Sequence, residues 1–80
     1  MTAPPQHTRE LDCLGKACPV PVIELAKVVA ELPLGETVTV VCDDPGAKVD
    51  IPVWCRMKKQ ELVATTATDN IFRFTVRRAV

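Results

Sequence analysis

Positions 11–22 read LDCLGKACPVPV, and this stretch combines the end of a strand, a turn and the start of a helix. Leu11 and Cys13 alternate with polar neighbours as in a half-buried strand, and the glycine-containing residues 14–17 follow as a turn. Two prolines come soon after, and proline is tolerated in a first helical turn because its missing N–H would have no intrahelical partner there. We therefore predict a strand over residues 8–13 and a helix that opens at Cys18 and runs to about Leu32.

The residues behind the prolines have the spacing of an amphipathic helix. Glu24, Lys27 and Glu31 fall on one polar stripe. The apolar face comprises Val22, Leu25, Ala26, Val29 and Leu32. This pattern predicts a helix that packs against a core.

A second strand and a second helix are predicted next along the chain. Residues 36–42 alternate as a strand, with Cys42 on its apolar face. Pro52 then falls inside an apolar pattern that is otherwise helical. If Asp50 is the N-cap of this helix, the proline lies in the first turn, and a tighter turn over residues 47–49 precedes it.

The last twenty residues are predicted to form a β-hairpin. Residues 62–68 and 71–78 form its strands, with Asp69 and Asn70 at the turn. In the final strand Phe72, Phe74 and Val76 alternate with Arg73, Thr75 and Arg77, which points the apolar set inward.

The predicted order β-α-β-α-β-β belongs to the α+β class. It indicates a two-layer sandwich with two helices on one face of a four-stranded mixed sheet. The first β-α-β unit should be a right-handed parallel crossover, so its two strands end at the same rim of the sheet. We therefore expect Cys18, at the start of the first helix, to lie beside the loop that contains Asp43 and Asp44.

The length and composition allow one small folded domain. The 80 residues are roughly half of the ~150-residue domain length, which leaves room for a single core. Hydrophobic residues make up 48% and charged residues 25%, as in globular rather than disordered proteins. We assign residues 9–80 to this domain and residues 1–8, which include two prolines and His7, to a disordered tail.

Charge is balanced overall but unevenly distributed. Ten Lys and Arg against ten Asp and Glu give a formal net charge of zero, which argues against a surface that binds polyanions throughout. Residues 1–50 hold four cations and eight anions (net −4), and residues 51–80 hold six cations and two anions (net +4). The six late cations are predicted to be a solvated face or, alternatively, a docking patch for an acidic protein or RNA: Arg56, Lys58, Lys59, Arg73, Arg77 and Arg78. Because no aromatic side chains are interleaved with them, direct nucleic-acid binding is not expected.

Four cysteines in a chain of this length raise the question of a disulfide framework. The N-terminal residues have neither the basic segment nor the apolar run of a signal peptide. No apolar run approaches the ~18 residues of a membrane span, so no membrane association is expected. We predict a cytoplasmic protein, in which thiols are catalytic, metal-binding or buried.

Cys18 is the candidate catalytic residue. The free N–H groups and the dipole of a helix N-terminus favour an anion, and Lys16 adds a nearby cation. Such surroundings lower a thiol pKa from ~8.5 to roughly 3.5–7.5, which predicts a reactive thiolate. Pro19 and Pro21 would hold the helix start rigid and keep the thiol at the rim. The alternative is that Cys18 is only a turn residue.

The remaining thiols have simpler interpretations. Cys42 and Cys55 lie on apolar faces and are predicted to be core residues. Cys13 is either a small buried residue at the end of the first strand or a second, resolving thiol for Cys18. No C-x₂₋₄-C pair occurs and the single histidine is in the tail, so neither a zinc site nor a Cys-His dyad is predicted.

The acidic residues of the second loop and helix, Asp43, Asp44 and Asp50, are interpreted as turn and capping residues. Binding of a metal by them is the alternative, but one short acidic turn lacks the spaced ligands of a calcium loop. We therefore predict no metal site.

Five short blocks, in their order and spacing, match a known pattern: LDCLG at 11–15, CPVP at 18–21, DDP at 43–45, DIP at 50–52 and WC at 54–55. With its C-P-x-P motif, the chain resembles the TusA/SirA-like sulfur carriers. The resemblance implies a two-layer βαβαββ sandwich and a sulfurtransferase-type carrier that acts as a co-substrate rather than a stand-alone catalyst. It implies that Cys18 carries a persulfide sulfur covalently, with no other cofactor. The implied partners are a cysteine desulfurase or another sulfur donor protein, and a downstream acceptor protein in tRNA thiolation, cofactor biosynthesis or sulfur metabolism.

Two positions depart from the family pattern. Cys13 stands where a small residue such as Ala is expected, and Gln60 stands where relatives often have a Gly-His pair. Two other functions stay open on the sequence alone. One is a non-enzymatic regulatory module that binds RNA or protein through the basic residues, and the other is a redox switch that bridges Cys13 and Cys18.

Overall fold

The computed structural model describes residues 9–80 and contains six elements in the predicted order β-α-β-α-β-β. The strands and helices are β1 (Arg9–Cys13), α1 (Val20–Glu31), β2 (Thr37–Cys42), α2 (Ala47–Lys58), β3 (Glu61–Thr68) and β4 (Ile71–Arg77). The α+β prediction, with two helices and a four-stranded mixed sheet, is confirmed. The predicted tail over residues 1–8, with His7, lies outside the described residues.

The four strands form one sheet in the order β1-β2-β4-β3. β1 and β2 are parallel, with Cys13 directly opposite Cys42, and β4 is antiparallel to both of its neighbours. The β3–β4 hairpin turns at Asp69 and Asn70, whose φ angles of 53° and 63° are those of a type I′ turn. Because β1 and β2 are parallel, their carboxyl ends meet at one edge of the sheet.

One face of the sheet packs against both helices. The buried side chains on this face of β1, β2 and β4 are Cys13, Val38, Val40, Cys42, Phe72, Phe74 and Val76. The helices contribute Leu25, Val29, Ile51 and Cys55, and the C-cap of α1 contributes Leu32. Burial of a large apolar side chain contributes about 1.5–3 kcal/mol, so this cluster is the main source of stability. The inward set predicted for the last strand is confirmed.

Polar pairs between strands occupy the opposite face of the sheet. Arg73 donates to Glu10 and Arg77 donates to Glu61, each at 2.9 Å. On the helix side of the molecule, Arg78 donates to the main-chain carbonyls of Ala30 and Leu32 at 3.2 and 2.6 Å. The six basic residues therefore do not form a single docking patch, because three of them have internal partners and two of those three point away from the helices.

The start of α2 differs from the prediction. The helix has Gly46 as N-cap and begins at Ala47, so Asp50 lies within its first turn and Pro52 inside the helix. The N–H groups of residues 47–49 donate to carbonyls three residues back at 3.0–3.1 Å, so the tight turn predicted here is the first turn of the helix itself. Burial of Ala47 and Ile51, one turn apart, favours this earlier start. Pro52 has no N–H, so the helix lacks the hydrogen bond that this position would otherwise donate.

Within residues 9–80, neither helix is long and apolar enough to cross a membrane.

Candidate functional site

The loop between β1 and α1 places Cys18 at the rim where β1 and β2 end. The backbone N–H of Cys18 donates to the Asp44 carboxylate at 2.6 Å. The N–H of Gly15 lies 3.1 and 3.2 Å from the two oxygens of the Asp43 carboxylate. The proximity of Cys18 to Asp43 and Asp44, predicted from the parallel crossover, is confirmed.

Asp44 joins the two loops of this rim. Hydrogen bonds from the N–H groups of Cys18 and Gly46 lower the pKa of its carboxyl, so the group is a carboxylate at neutral pH. A Cβ built on Gly46 would lie 3.4 Å from the Cβ of Cys18, in ordinary van der Waals contact, so the two loops pack against each other here. This geometry fits the turn role predicted for Asp43 and Asp44, but the capping role is wrong, because neither α1 nor α2 has a side-chain cap and Asp50 lies inside α2. Within residues 9–80 no group of three or more His, Cys, Asp or Glu side chains is arranged to hold a metal ion.

Cys18 precedes α1 and does not open it as predicted. Pro19 is the N-cap, the helix begins at Val20, and Pro21 is buried in the first turn. The peptide bond between Cys18 and Pro19 is cis. The buried ring of Pro21 anchors the helix start to the core and leaves the preceding thiol at the surface of the loop.

Exposure separates Cys18 from the other three cysteines, all of which lie within residues 9–80. Cys13 and Cys42 are 0% exposed and Cys55 is 3% exposed. Cys18 is half-buried, and the side of its side chain that faces inward packs against the core. Of the four thiols it is therefore the one that another molecule can reach. The core positions predicted for Cys42 and Cys55 are confirmed.

The electrostatic environment of Cys18 is the reverse of the predicted one. Desolvation by burial, then the hydrogen bond and charge of Asp50, then the charge of Asp44 raise the pKa of the thiol to about 11. The predicted thiolate is therefore wrong for the free protein, in which Cys18 is a neutral thiol at neutral pH. Lys16 is near Cys18 in the sequence, whereas Asp50 lies on α2 and acts on Cys18 only in the folded chain, so sequence spacing does not predict its effect.

Lys16 acts on a different thiol. Burial raises the pKa of Cys13, and the positive charge of Lys16 opposes this effect. Lys16 is not among the groups that shift Cys18. Its predicted role as a cation supporting the Cys18 thiolate is corrected accordingly.

Three of the four cysteines lie together at the rim. Cys13 and Cys42 end the two parallel strands as direct partners, and Cys42 donates through its sulfur to the Phe72 carbonyl at 3.8 Å. Burial, followed by the charges of Cys13 and Cys18, raises the pKa of Cys42 to about 11. Cys55 lies apart on α2, where burial raises its pKa. All four are free thiols.

An apolar groove starts beside Cys18 and runs between α1 and α2. The groove has a volume of about 230 Å³. It is lined by Pro19, Val22, Asp50, Val53, Trp54 and Met57. This groove was not predicted from the sequence. The sequence feature that indicates the groove is a stripe of apolar residues four positions apart on α2, namely Val49, Val53 and Met57. Their side chains are 64%, 39% and 70% exposed, respectively.

Gln60, one of the two departures from the family pattern, holds the end of the chain. Its side-chain oxygen accepts hydrogen bonds from the N–H groups of Ala79 at 2.7 Å and Val80 at 3.4 Å. Within the described residues, Gln60 therefore has a structural role, and it lies away from the rim that carries Cys18.

The chain matches one protein-family model and is similar to a solved structure. The family model described as sulfurtransferase TusA matches residues 9–78, which include every strand and helix of the fold. Among solved structures, the crystal structure of a SirA-like protein from Desulfitobacterium hafniense is similar, with a TM-score of 0.81 and 25% sequence identity. The match covers 91% of this chain and 100% of that chain.

Proposed function

This chain belongs to the TusA/SirA family of sulfurtransferases, and from that premise we propose that it is a sulfur carrier with its persulfide on Cys18. The family supports a role in sulfur relay in general. The observation that carries the assignment to Cys18 is its exposure at the rim, because the other three thiols are inside the core.

The transfer is a thiol exchange that balances without an outside oxidant or reductant. The Cys18 sulfur, as a thiolate, attacks the terminal sulfur of a donor persulfide, and the S–S bond of the donor breaks. Cys18 gains the sulfur, and the donor sulfur leaves as a thiolate that takes up the proton lost by Cys18. In unloading, an acceptor thiolate attacks the same terminal sulfur and Cys18 is the leaving group. The only group carried is the covalently held sulfur.

The raised pKa of Cys18 makes the free carrier a poor nucleophile. With a pKa of about 11, roughly one thiol in 10,000 is ionised at pH 7. A cationic side chain of a docked partner beside Asp44 and Asp50 would offset their charges and lower this pKa. We therefore propose that the chain is a co-substrate, whose thiol becomes reactive only in complex with a donor.

The groove beside Cys18 is the proposed contact for these partners, a cysteine desulfurase or another sulfur donor protein and a downstream acceptor protein. Its apolar walls fit an apolar side chain, and the acidic residue Asp50 in its lining fits a cation next to that side chain. The same cation would act on the Cys18 thiol. Four free thiols favour a reducing compartment, so we propose the cytoplasm.

The experiment is whole-protein mass spectrometry after incubation with a cysteine desulfurase and cysteine. We expect one added sulfur atom on the wild type and on Cys13→Ala, and none on Cys18→Ser. Peptide mapping should place the sulfur on Cys18. An equal gain on Cys18→Ser would overturn the assignment.

A further inference from the structure

We propose that β3 is a self-association edge, at which two copies of this chain pair antiparallel and join their four-stranded sheets side by side. This goes beyond the proposed function, because sulfur relay through Cys18 requires no second copy. The strand order β1-β2-β4-β3 leaves β3 at an edge, and within residues 9–80 it pairs with β4 alone. An unpaired edge presents a row of N–H and C=O groups to which another strand can bind.

The two edges of the sheet differ in how they are protected. β1, at the other edge, is charged at three of its five positions, namely Arg9, Glu10 and Asp12. In β3 only the first residue, Glu61, is charged, and it is ion-paired with Arg77 of β4 at 2.9 Å. Residues 62–68 contain neither a charge nor a proline, the side chains with which sheets block pairing at an edge. β3 is therefore the edge that can accept another strand.

Beyond its second residue, β3 is open on both faces. Leu62 is half-buried and packs against the core, whereas every residue from 63 to 68 is exposed. Neither helix of the described chain therefore shields this part of the edge. The exposed residues are alanine and the β-branched valine and threonine, and β-branched side chains are favoured in strands.

The register of the hairpin shows which backbone groups face outward. Thr68 and Ile71 flank the two-residue turn and form a hydrogen-bonded pair, and bonded and non-bonded pairs alternate from there along an antiparallel ladder. Thr65 and Ala67 fall at non-bonded positions. Their N–H and C=O groups therefore point away from β4, toward the free edge.

One antiparallel register of two copies uses these outward groups. When Thr66 lies opposite its counterpart in the second copy, Thr65 and Ala67 lie opposite each other and exchange backbone hydrogen bonds. The β-bulge near the start of β3 then stays outside the paired segment. A register centred on Thr65 would instead bring the bulge into the ladder and put Glu61 opposite Asp69, two like charges. The register centred on Thr66 is therefore favoured.

A second copy supplies the complementary edge. The partner strand must be extended, unpaired on one side and free of charge, and β3 of another chain has each of these properties. On the outer face of the joined sheet, the two Thr66 side chains would repeat a pair that already exists within the chain. The hydroxyls of Thr39 and Thr75 lie 2.9 Å apart across β2 and β4.

The dimer leaves both Cys18 sites open. Cys42, at the rim of Cys18, pairs with Phe72 near the hairpin turn, so the turn and this rim lie at the same end of the sheet. Antiparallel pairing places this end of one chain at the far end of the other. Each chain of the dimer is therefore loaded with sulfur independently.

The paired segment is short, so the dimer is weak and reversible. Sedimentation equilibrium of the reduced protein from about 10 µM to about 1 mM should show monomer and dimer in exchange. Thr66→Glu should raise the dissociation constant at least about tenfold, because two carboxylates then lie opposite each other. Each carboxylate also lies opposite Arg73 of its own β4, which keeps the monomer folded. The control Thr66→Gln, similar in size and uncharged, should stay within about threefold of the wild type.

Disulfide trapping tests the register on a Cys18→Ser background. Thr66→Cys should form an intermolecular disulfide on mild oxidation, because the two copies of this residue face each other. Thr68→Cys should not, because its two copies lie roughly 14 Å apart in this register.

The outcomes are distinct from those that test sulfur relay. A wild type that stays monomeric up to about 1 mM overturns the proposal, as does an equal dissociation constant for Thr66→Glu. Equal trapping of the two cysteine variants overturns the pairing. If Thr66→Glu slows transfer from a cysteine desulfurase but leaves the dissociation constant unchanged, the edge binds a donor protein and self-association is overturned. Loading of Cys18 by inorganic polysulfide should be the same in Thr66→Glu and the wild type.

Discussion

Asp50 is the side chain whose charge acts most directly on the Cys18 thiol. It contributes both a hydrogen bond and a Coulombic effect, and both raise the pKa of Cys18. It also lines the groove, so a partner that enters the groove meets the carboxylate and the thiol together. If partners dock in the groove as proposed, this one residue would couple docking to the reactivity of the thiol.

Replacement of this carboxylate tests the coupling. We expect Asp50→Asn to lower the pKa of Cys18 and to raise its alkylation rate by iodoacetamide at mildly alkaline pH roughly three- to tenfold, because more of the thiol is ionised. The rate is measured as a function of pH by mass spectrometry of the native protein. Asp69→Asn, in the hairpin turn, is the control and should alkylate as the wild type does. Equal rates for Asp50→Asn and the wild type would contradict the role of Asp50.

At this scale, the sequence predicted the position of Cys18 but not its ionisation. Its place at the rim follows from the C-P-x-P spacing and the parallel crossover, which are local and topological rules. Its pKa depends first on burial and then on carboxylates that lie 26 and 32 positions further along the chain. Asp44 reaches Cys18 through a hydrogen bond between two loops, and Asp50 lies on α2, so no spacing rule describes their approach.

The second helix shows which parts of an element can be predicted from pattern alone. Its buried side, with Ile51 and Cys55, follows from the apolar spacing. The predicted start was about one turn too late, because the prediction placed Pro52 in the first turn, where proline is best tolerated. The helix instead begins at the buried Ala47, one turn before the proline. The earlier start also lengthens the exposed apolar stripe that borders the groove.

The groove should be needed for transfer from a protein donor but not for chemistry with a small one. We expect Met57→Asp to slow persulfide transfer from a cysteine desulfurase by about tenfold or more, because a charge replaces an apolar contact at the docking surface. Loading by inorganic polysulfide should be unchanged, since it requires no docking. Both rates are measured by mass spectrometry.

The matched control for this experiment is Leu34→Asp. Leu34 is an exposed apolar residue, 67% accessible, that follows α1 and does not line the groove. Its variant should behave as the wild type with both donors. A loss of transfer in Leu34→Asp equal to that in Met57→Asp would show that any new surface charge interferes, and the groove would lose its special role.

The molecule as a whole keeps its family fold at 25% identity because the fold depends on patterns more than on particular residues. The alternation in β4, the amphipathic spacing of α1 and the type I′ hairpin each specify an element from nearby residues. The order β1-β2-β4-β3 and the division of the basic residues between two sides of the molecule are global properties. They depend on which strand the last hairpin pairs with, and the sequence patterns were equally compatible with other pairings.

The thiols also link stability to pH. Burial raises the pKa values of Cys13 and Cys55, and those of Cys18 and Cys42 reach about 11, above the ordinary value of 9.0. The folded state therefore prefers protonated thiols. Their contribution to the free energy of unfolding is complete below about pH 9 and is lost as the pH rises through about 11. For the fully buried Cys42 alone the loss by pH 11 is on the order of 2 kcal/mol.

We accordingly expect the urea midpoint of unfolding to fall steadily from about pH 9 to about pH 11 in the presence of a reductant. The chain contains no tyrosine, so phenol ionisation does not contribute in this range. Cys42→Val removes one buried thiol with little change in volume, and its midpoint should fall less steeply over the same interval. A midpoint that stays level in the wild type, or falls equally in Cys42→Val, would mean that the buried thiols do not govern the alkaline limit of the fold.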